Sequence, residues 1–509
     1  MFKKFLILLV VLPLAVFCNK NKQEQEVADP VIEIVGDKEF TIACEGGSQS
    51  ISFTSNVEWT AVSEDSWVTI TPASGKASES TITITFTCEK NPKKKSRSAN
   101  ILVSGTRAGK YVYITQAGDP MSGAAPELKS GDVLKATNEL VEKFLTEVHY
   151  PDKTYKDYTK IFDYYGGFGS TVGEPLTWDN WGQDWPDGDM PPQYSIRWDE
   201  KDLEKGATMT LHLEDELGWS GDMDIEAGSL YVNITNLVPN DKYNYKVTTA
   251  GGKVLAQGNF TTVGTLHQCY FLGDPQKPNI KGGGGRNCRD FGGWITEDGK
   301  MIKYRMVYRG GRLNEKWTPY PLNKQGEKEV LFEGIGAELD LRGNSDVMFT
   351  PAVEGLAHCA PVIEEGGKTM LTTYKQQTKE CFEFVVNSLR QGKPVHFHCS
   401  LGRDRTGTLG IILFGILGVP EGDISKEYEL TYFAPVGYSV SSSDKASNTK
   451  PTYKNTRKSW VYSDVAPYFW ELAGEGSFAS GVEKYLLEVA GVSQKDIDDF
   501  RSMMLTEKK

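Results

Sequence analysis

The 509-residue sequence is short of several features that would assign a class at once. Positive charge is not in excess. The 56 Lys and Arg stand against 68 Asp and Glu, a net of −12, which argues against nucleic acid as a general partner. No zinc-type cysteine pattern is present, and the eight cysteines are scattered at spacings that spell no disulfide framework. The N-terminal apolar run, Phe5 to Phe17, is shorter than the roughly 20 residues that a helix needs to span a bilayer. What remains is an ordinary globular composition, 39% hydrophobic and 24% charged, on a chain long enough for about three or four domains.

The most informative stretch is His398-Cys399-Ser400-Leu401-Gly402-Arg403-Asp404-Arg405-Thr406-Gly407, which reads Cys-x5-Arg followed by Thr-Gly. Pro394 to His398 upstream reads as a short buried strand. Thr408 to Val419 downstream reads as a buried helix, apolar on all sides. Strand, Gly-containing loop and helix N-terminus together make an anion cradle. A thiol beside cations and a helix N-terminus falls below its ordinary pKa of about 8.5, so Cys399 is expected to be a thiolate nucleophile. Arg405 carries a planar fork suited to two phosphate oxygens. Gly402 permits the tight loop. Ser400, Leu401 and Arg403 supply the remaining cradle, and Thr406 can give a hydroxyl to the departing sulfur. His398 is expected to orient the loop backbone, and Asp404 is the nearest acid for the leaving group.

At these residues the chain resembles the Cys-x5-Arg phosphatases, and more narrowly the bacterial secreted tyrosine/phosphoinositide phosphatase family, whose loop reads His-Cys-x-x-Gly-Lys-Asp-Arg-Thr-Gly. The resemblance implies an α/β domain with a mostly parallel central sheet flanked by helices. It also implies a phosphocysteine intermediate on Cys399, phosphate binding by Arg405, an acid at Asp404, and neither metal nor other cofactor. Arg403 departs from the family's Lys and bears on substrate preference. Asn287-Cys288-Arg289-Asp290-Phe291-Gly292-Gly293 resembles the family's Asn-x-Arg-Asp-x-Gly-Gly, with Arg289 and Asp290 either contacting substrate or holding a turn as a mutual network. Asp340-Leu341-Arg342 resembles its Asp-Leu-Arg, with Asp340 and Arg342 expected behind the phosphate loop. Glu427-Tyr428-Glu429-Leu430-Thr431 is similar to its Asp-Tyr-x-Leu-Thr helix. Cys288 stands where the family has an aromatic, which raises a reversible disulfide with Cys399.

The rest of the chain divides as follows. Residues 1–17, with Lys3 and Lys4 ahead of the apolar run, read as a signal peptide. Leu14-Ala15-Val16-Phe17-Cys18 resembles a bacterial lipoprotein signal, which implies lipid on Cys18; a plain secretory peptide is the alternative. Residues 18–30 form a polar tether. Residues 31–118 show period-two strands at Glu39–Ala43, Gln49–Phe53, Thr81–Phe86 and Tyr111–Thr115, with turns at Gly46-Gly47, Ser74-Gly75 and Gly105, the pattern of a β-sandwich. Asn56, Trp59, Trp67, Gly75, Arg97 and Thr115-Gln116 resemble the BACON module, an immunoglobulin-like domain read either as a spacer or as a glycan binder. Residues 119–150 are a linker and a helix from Val133. Residues 151–265 read as a second all-β domain, in which Leu237-Val238-Pro239-Asn240-Asp241-Lys242-Tyr243 resembles the Leu-x-Pro-x-x-x-Tyr corner of fibronectin type III. Within it, Trp178 to Asp189 offers carboxylates and three tryptophans for calcium or sugar, without EF-hand spacing. Residues 266–509 form the catalytic domain, in which Ala434 to Ser463 is a basic stretch read as a lid or a surface loop.

The expectation is a multidomain, lipid-anchored phosphatase of the cell envelope, with two β modules ahead of an α/β domain. Its substrate is a phosphorylated protein, phosphotyrosine foremost, or else a phosphoinositide or inositol phosphate. From another class, the chain could be a glycan-binding surface lipoprotein with an inactive phosphatase domain. Its membrane contact is the outer or inner membrane through the anchor, and no nucleic acid is expected.

Overall fold

The computed structural model describes residues 29–135, 191–204, 206–264, 287–314, 322, 324–432 and 460–507. The leader and Cys18, the body of the helix expected from Val133, the Trp178 to Asp189 loop and most of the Ala434 to Ser463 stretch lie outside these residues. The chain divides into two compact units, residues 1–122 and 123–509.

The first unit follows from alternation. Strands β1 (Ile32–Val35), β2 (Glu39–Ile42), β3 (Gly47–Ser55), β4 (Trp59–Val62), β5 (Val68–Thr71), β6 (Ser74–Gly75), β7 (Ser78–Cys88), β8 (Arg97–Gly105) and β9 (Ala108–Gln116) form two sheets, ordered β1-β3-β7-β5 and β2-β9-β8-β4-β6. Every second side chain turns inward. Ile51, Phe53, Ile84, Phe86, Ile101, Val103, Val112 and Ile114 make one apolar core. Trp59 joins that core edge-on to Phe53, and Trp67 lies under the Arg97 guanidinium at 4.0 Å. Ser74-Gly75, expected as a turn, is a two-residue strand against Trp59 and Thr60. Gly75 allows this because a Cβ there would meet the Trp59 ring at 2.6 Å. Cys44 and Cys88 are buried free thiols.

The second unit opens differently from the linker and helix expected there. Gly123 to Val133 lies along the β region. Leu128 N–H bonds Ser195 O, Arg197 Nη2 donates to Ala125 O, and Asn233 Nδ2 donates to Gly123 O. Asp132–Val133, placed at a helix start from the sequence, is strand β10, parallel to Thr262 and Val263. Asp132 and Val133 are therefore extended, with Leu134 N–H donating to Val263 O at 2.7 Å, and the residues expected to form the helix body lie beyond the described ones. β11 (Tyr194–Arg197) pairs with β14 (Tyr231–Ile234). β12 (Met209–Asp215), β13 (Ser220–Ile225), β15 (Lys242–Thr249) and β16 (Val254–Val263) complete the sheet β10-β16-β15-β12-β13. The Tyr243 hydroxyl accepts from Val238 N–H at 2.8 Å, closing the corner that joins β14 to β15.

The α/β part is built on a five-stranded sheet, β17 (Arg289–Asp290), β19 (Val307–Gly310), β22 (Val395–His398), β20 (Ala337–Asp340) and β21 (Ala357–Cys359) in that spatial order. The last four are parallel to one another and β17 is antiparallel. β18 (Met301–Ile302) and β23 (Leu505–Thr506) pair apart from it. Helices α1 (Lys324–Phe332), α2 (Lys368–Thr372), α3 (Lys375–Arg390), α4 (Asp404–Leu417), α5 (Glu421–Glu429), α6 (Trp460–Ala473), α7 (Phe478–Lys484) and α8 (Gln494–Met504) accompany it. α4 is buried from Thr406 to Leu417, as its all-round apolar sequence requires, and it begins four residues before Thr408. Among the described residues no helix is long and apolar enough to cross a membrane.

Candidate active site

β22 is buried along its whole length and ends at His398. The chain then turns through Cys399 to Arg403 and enters α4 at Asp404. Gly402 makes the turn possible. Its φ is +70°, and an added Cβ would stand 2.4 Å from the Gly310 carbonyl carbon. Gly407 serves a second close approach, since a Cβ there would meet the Tyr428 ring at 2.6 Å.

The loop carbonyls face partners outside the loop. Cys399 O faces His398 Nδ1 at 3.4 Å, and Ser400 O accepts from Arg312 N–H at 3.4 Å. Leu401 O and Gly402 O accept from Asn287 Nδ2 at 3.2 and 3.0 Å, and Gly402 O also accepts from Arg309 Nη2 at 2.8 Å. In a trans peptide the N–H points opposite to the C=O. Carbonyls turned outward therefore direct the N–H groups of Ser400, Leu401, Gly402 and Arg403 to the inside of the loop, where α4 adds its N-terminal partial charge.

Cys399 is 3% exposed. Burial pushes its thiol up, but Arg405 and the Thr406 hydroxyl and N–H outweigh burial and hold it below the ordinary thiol range. Thr406 Oγ1 is buried without an oxygen or nitrogen partner, so the sulfur is its natural acceptor. Arg405 donates from Nη1 to Ile363 O at 3.0 Å and from Nη2 to Ser400 Oγ at 3.3 Å, so its fork is held between its own loop and the segment at Ile363. The Ser400 hydroxyl in turn donates to the Asp346 carboxylate. Asp404 is about one-third exposed and takes Arg403 Nε at 2.9 Å and Nη2 at 3.3 Å, with the Tyr428 hydroxyl at 3.5 Å.

Behind the cradle, His398 Nε2 meets Glu338 Oε1 at 2.9 Å. Burial opposes a charge on His398, but the Asp340 and Glu338 carboxylates outweigh it and hold the imidazole above its ordinary pKa. Arg342 grips Asp340 with Nε to Oδ1 at 2.8 Å and Nη2 to Oδ2 at 2.7 Å, while Leu341 N–H donates to His398 O at 2.8 Å. Asp340 Oδ1 lies 3.9 Å from His398 Nδ1, at the end of the strand that leads to Cys399.

Arg289 and Asp290 do not bond one another. Arg289 Nε donates to Glu427 Oε1 at 2.8 Å and its Nη2 faces Thr431 Oγ1 at 3.3 Å, while Arg309 Nη1 takes Glu427 Oε2 at 2.6 Å. Asp290 accepts from Gly292 N–H and Arg305 N–H, both at 2.7 Å, and burial raises its pKa to about 7. Both side chains are thus committed to partners within the protein.

Cys288 is buried with Tyr308, Leu313 and Val330, whereas Cys399 belongs to a different core cluster. Its sulfur lies 3.7 Å from His396 Nε2, and burial raises the thiol to about 12, a poor candidate for exchange.

Sequence reasoning left Glu427, Arg309, Asp346 and Glu338 without roles. For Glu427 and Arg309 a signal existed. Two arginines on strands that must be buried need a carboxylate, and Glu427 is the acid on the helix that packs there. Asp346 and Ile363 sit in irregular loops, where spacing carries no information.

Residues 280–506 match the family described as "Tyrosine phosphatase family", and residues 34–119 match the "Viral BACON domain". A protein of Cupriavidus necator named "Putative tyrosine-protein phosphatase H16_A0669" is 25% identical over 166 residues, 28% of this chain. The chain spans 59% of that relative's length. Among solved structures, a Bacteroides ovatus GH5 xyloglucanase in complex with a XXXG heptasaccharide matches at 20% identity, over 20% of this chain and 22% of that one, with a TM-score of 0.16. A Bacteroides thetaiotaomicron protein solved by NMR matches at 16% identity, over 20% of this chain and 97% of that one, with a TM-score of 0.14.

Proposed function

We propose, for a chain whose residues 280–506 match the tyrosine phosphatase family, that it hydrolyses phosphomonoesters through a phosphocysteine on Cys399. The observation that carries the reading is the buried Cys399 on a loop whose carbonyls bond outward and whose Ser400 holds the Arg405 fork.

The dianion sits on the loop N–H groups and Arg405, which stabilise the charge that builds on the equatorial oxygens. The Cys399 thiolate attacks phosphorus, the ester P–O bond breaks, and Asp404 gives its proton to the leaving oxygen. Water then attacks the phosphocysteine. Asp404 takes a proton from that water, the S–P bond breaks, and the sulfur leaves as a thiolate that accepts from the Thr406 hydroxyl. Inorganic phosphate is released. Asp404 is about one-third exposed, so its pair with Arg403 is one that water and salt weaken.

Phosphotyrosine is the favoured substrate. The match of residues 280–506 to the tyrosine phosphatase family supports this choice. A panel of phosphotyrosine peptide, phosphoinositide and inositol phosphate, with Cys399→Ser as control, tests this. Turnover confined to the inositol substrates overturns the choice of substrate, and turnover unaffected by Cys399→Ser overturns the mechanism. Lys3, Lys4 and the apolar run before Cys18 support an envelope location with lipid on Cys18. Membrane association should be lost in Cys18→Ser.

A further inference from the structure

The second β region and the catalytic part converge on one buried residue, Arg305. Arg305 is 6% exposed on its side chain, and four groups of the β region converge on it. Asp215 Oδ2 takes Nε at 3.2 Å, Asn236 O and the Tyr243 hydroxyl lie 3.3 and 3.4 Å from Nη2, and the Trp219 ring stacks at 3.9 Å. From the catalytic side, Glu333 Oε2 takes Nη1 at 2.8 Å, and its other oxygen accepts from Asn236 Nδ2 at 2.7 Å. Trp219 also donates from Nε1 to Phe332 O at 3.2 Å, and Gly221 carries no Cβ where one would strike the Phe332 ring at 2.8 Å. This is a close-packed, charge-bearing junction inside one compact unit.

The backbone of Arg305 carries the hold onward. Its φ is +62°, a conformation that costs a side-chain-bearing residue roughly 1–3 kcal/mol and persists only where surroundings enforce it. In that conformation its N–H reaches Asp290 Oδ2 at 2.7 Å, and Asp290 Oδ1 holds Gly292 N–H. Three residues earlier, Asn287 holds the Leu401 and Gly402 carbonyls, the contacts that help turn the loop amides inward. The segment 287–292 is thus pinned at one end to the phosphate loop and at the other to Arg305.

We propose that the second β region is a working part of the catalytic unit, and that Arg305 is the positioning residue through which Asp215, Tyr243 and Trp219 hold the 287–292 segment against the phosphate loop. The inference rests on the phosphatase reading for its rate consequence. Its geometric consequence, the state of the Cys399 sulfur, can be measured without turnover.

The test uses the full chain with Arg305→Ala, Arg305→Lys and Asp215→Asn. The last keeps side-chain volume and an acceptor for Trp219 N–H, and it serves if Arg305→Ala does not fold. Two quantities are read at a temperature where each variant is folded by circular dichroism: kcat and KM for an aryl phosphate, and the pH midpoint of Cys399 alkylation by iodoacetamide. The expected result is a fall in kcat of about 10- to 100-fold in Arg305→Ala with KM little changed, as for a small misplacement of reacting groups. The alkylation midpoint should rise, Asp215→Asn should show a smaller effect of the same sign, and Arg305→Lys should restore part of the loss. Wild-type kcat and an unmoved midpoint in both Arg305→Ala and Asp215→Asn, with only a lower melting temperature, would overturn the proposal. If the wild type hydrolyses no phosphomonoester, the phosphatase reading fails, and the alkylation midpoint alone still decides whether Arg305 governs the loop.

Discussion

The two β regions of this chain resemble each other in strand pattern and differ in what they bury. The first encloses an apolar core of Ile, Val and Phe side chains. Its buried polar residues are Ser55, Asn91 and Gln116, all uncharged, and its charges stay at or near the surface. The second sends Asp215 into a junction with Arg305 and Glu333, and the part it joins buries two further charged groups, Arg289–Glu427–Arg309 and Asp340–Arg342. Burying a charge is costly unless it is paired and bonded, so such networks are poor at adding stability and good at fixing geometry. The comparison separates a β module whose core is its own from one tied by buried charge to the α/β part.

The largest effect expected is at the sulfur. Cys399→Ser should lower kcat at least about 10,000-fold without moving the melting temperature, as removal of an attacking nucleophile does. Steady-state assay beside a thermal melt checks this, and residual turnover within tenfold of wild type would break the contrast. Next is Glu427→Ala, which leaves Arg289 and Arg309 buried without their shared carboxylate. Chemical denaturation should show a loss of about 3–5 kcal/mol, the usual consequence of stranding a buried charge. A change below 1 kcal/mol would mean that water reaches those guanidiniums.

In the first unit, Phe53→Ala should cost a similar amount, about 3–5 kcal/mol, through the cavity it leaves in the apolar core. There the destabilisation should stay local: kcat unchanged within twofold, with the lost stability visible in the hydrogen exchange of residues 29–122. A parallel fall in kcat would erase the distinction between the two regions. The smallest effect is one of pH. Cys399 has its pKa lowered, so its thiolate forms at lower pH than an ordinary thiol, and alkylation should rise with pH through a midpoint below about 8.5. Arg405→Met removes the main opposing charge, burial then dominates, and the midpoint should move upward. A midpoint at or above that of a free thiol in the unsubstituted protein would contradict the electrostatics described.

Much of this was legible in the order of residues. Cys399, Gly402 and Arg405 carry a spacing that only one loop satisfies, and the apolar run after Thr408 announces a buried helix. The alternating strands of the first unit were equally plain, because period two survives wherever one face meets a core. Two kinds of feature escaped. Asp132–Val133 has the local look of a helix start, and only the distant pairing with Thr262 and Val263 makes it strand. Partnerships between charges were hidden for the same reason. Arg289 and Asp290 are adjacent yet face different partners, Glu427 and Arg305, more than a dozen residues away in the chain. Spacing reports what a loop can do, whereas the identity of the groups that brace it depends on which elements the fold brings together.

On the proposed mechanism, phosphate passes through Cys399. Full-length protein mixed with an aryl phosphate, quenched in acid within one turnover and digested, should yield the peptide containing Cys399 heavier by one phosphoryl group. That species should be absent from Cys399→Ser and should disappear at the rate of phosphate release. Turnover that proceeds with no phosphoryl on Cys399, or with the phosphoryl on another residue, would contradict the account.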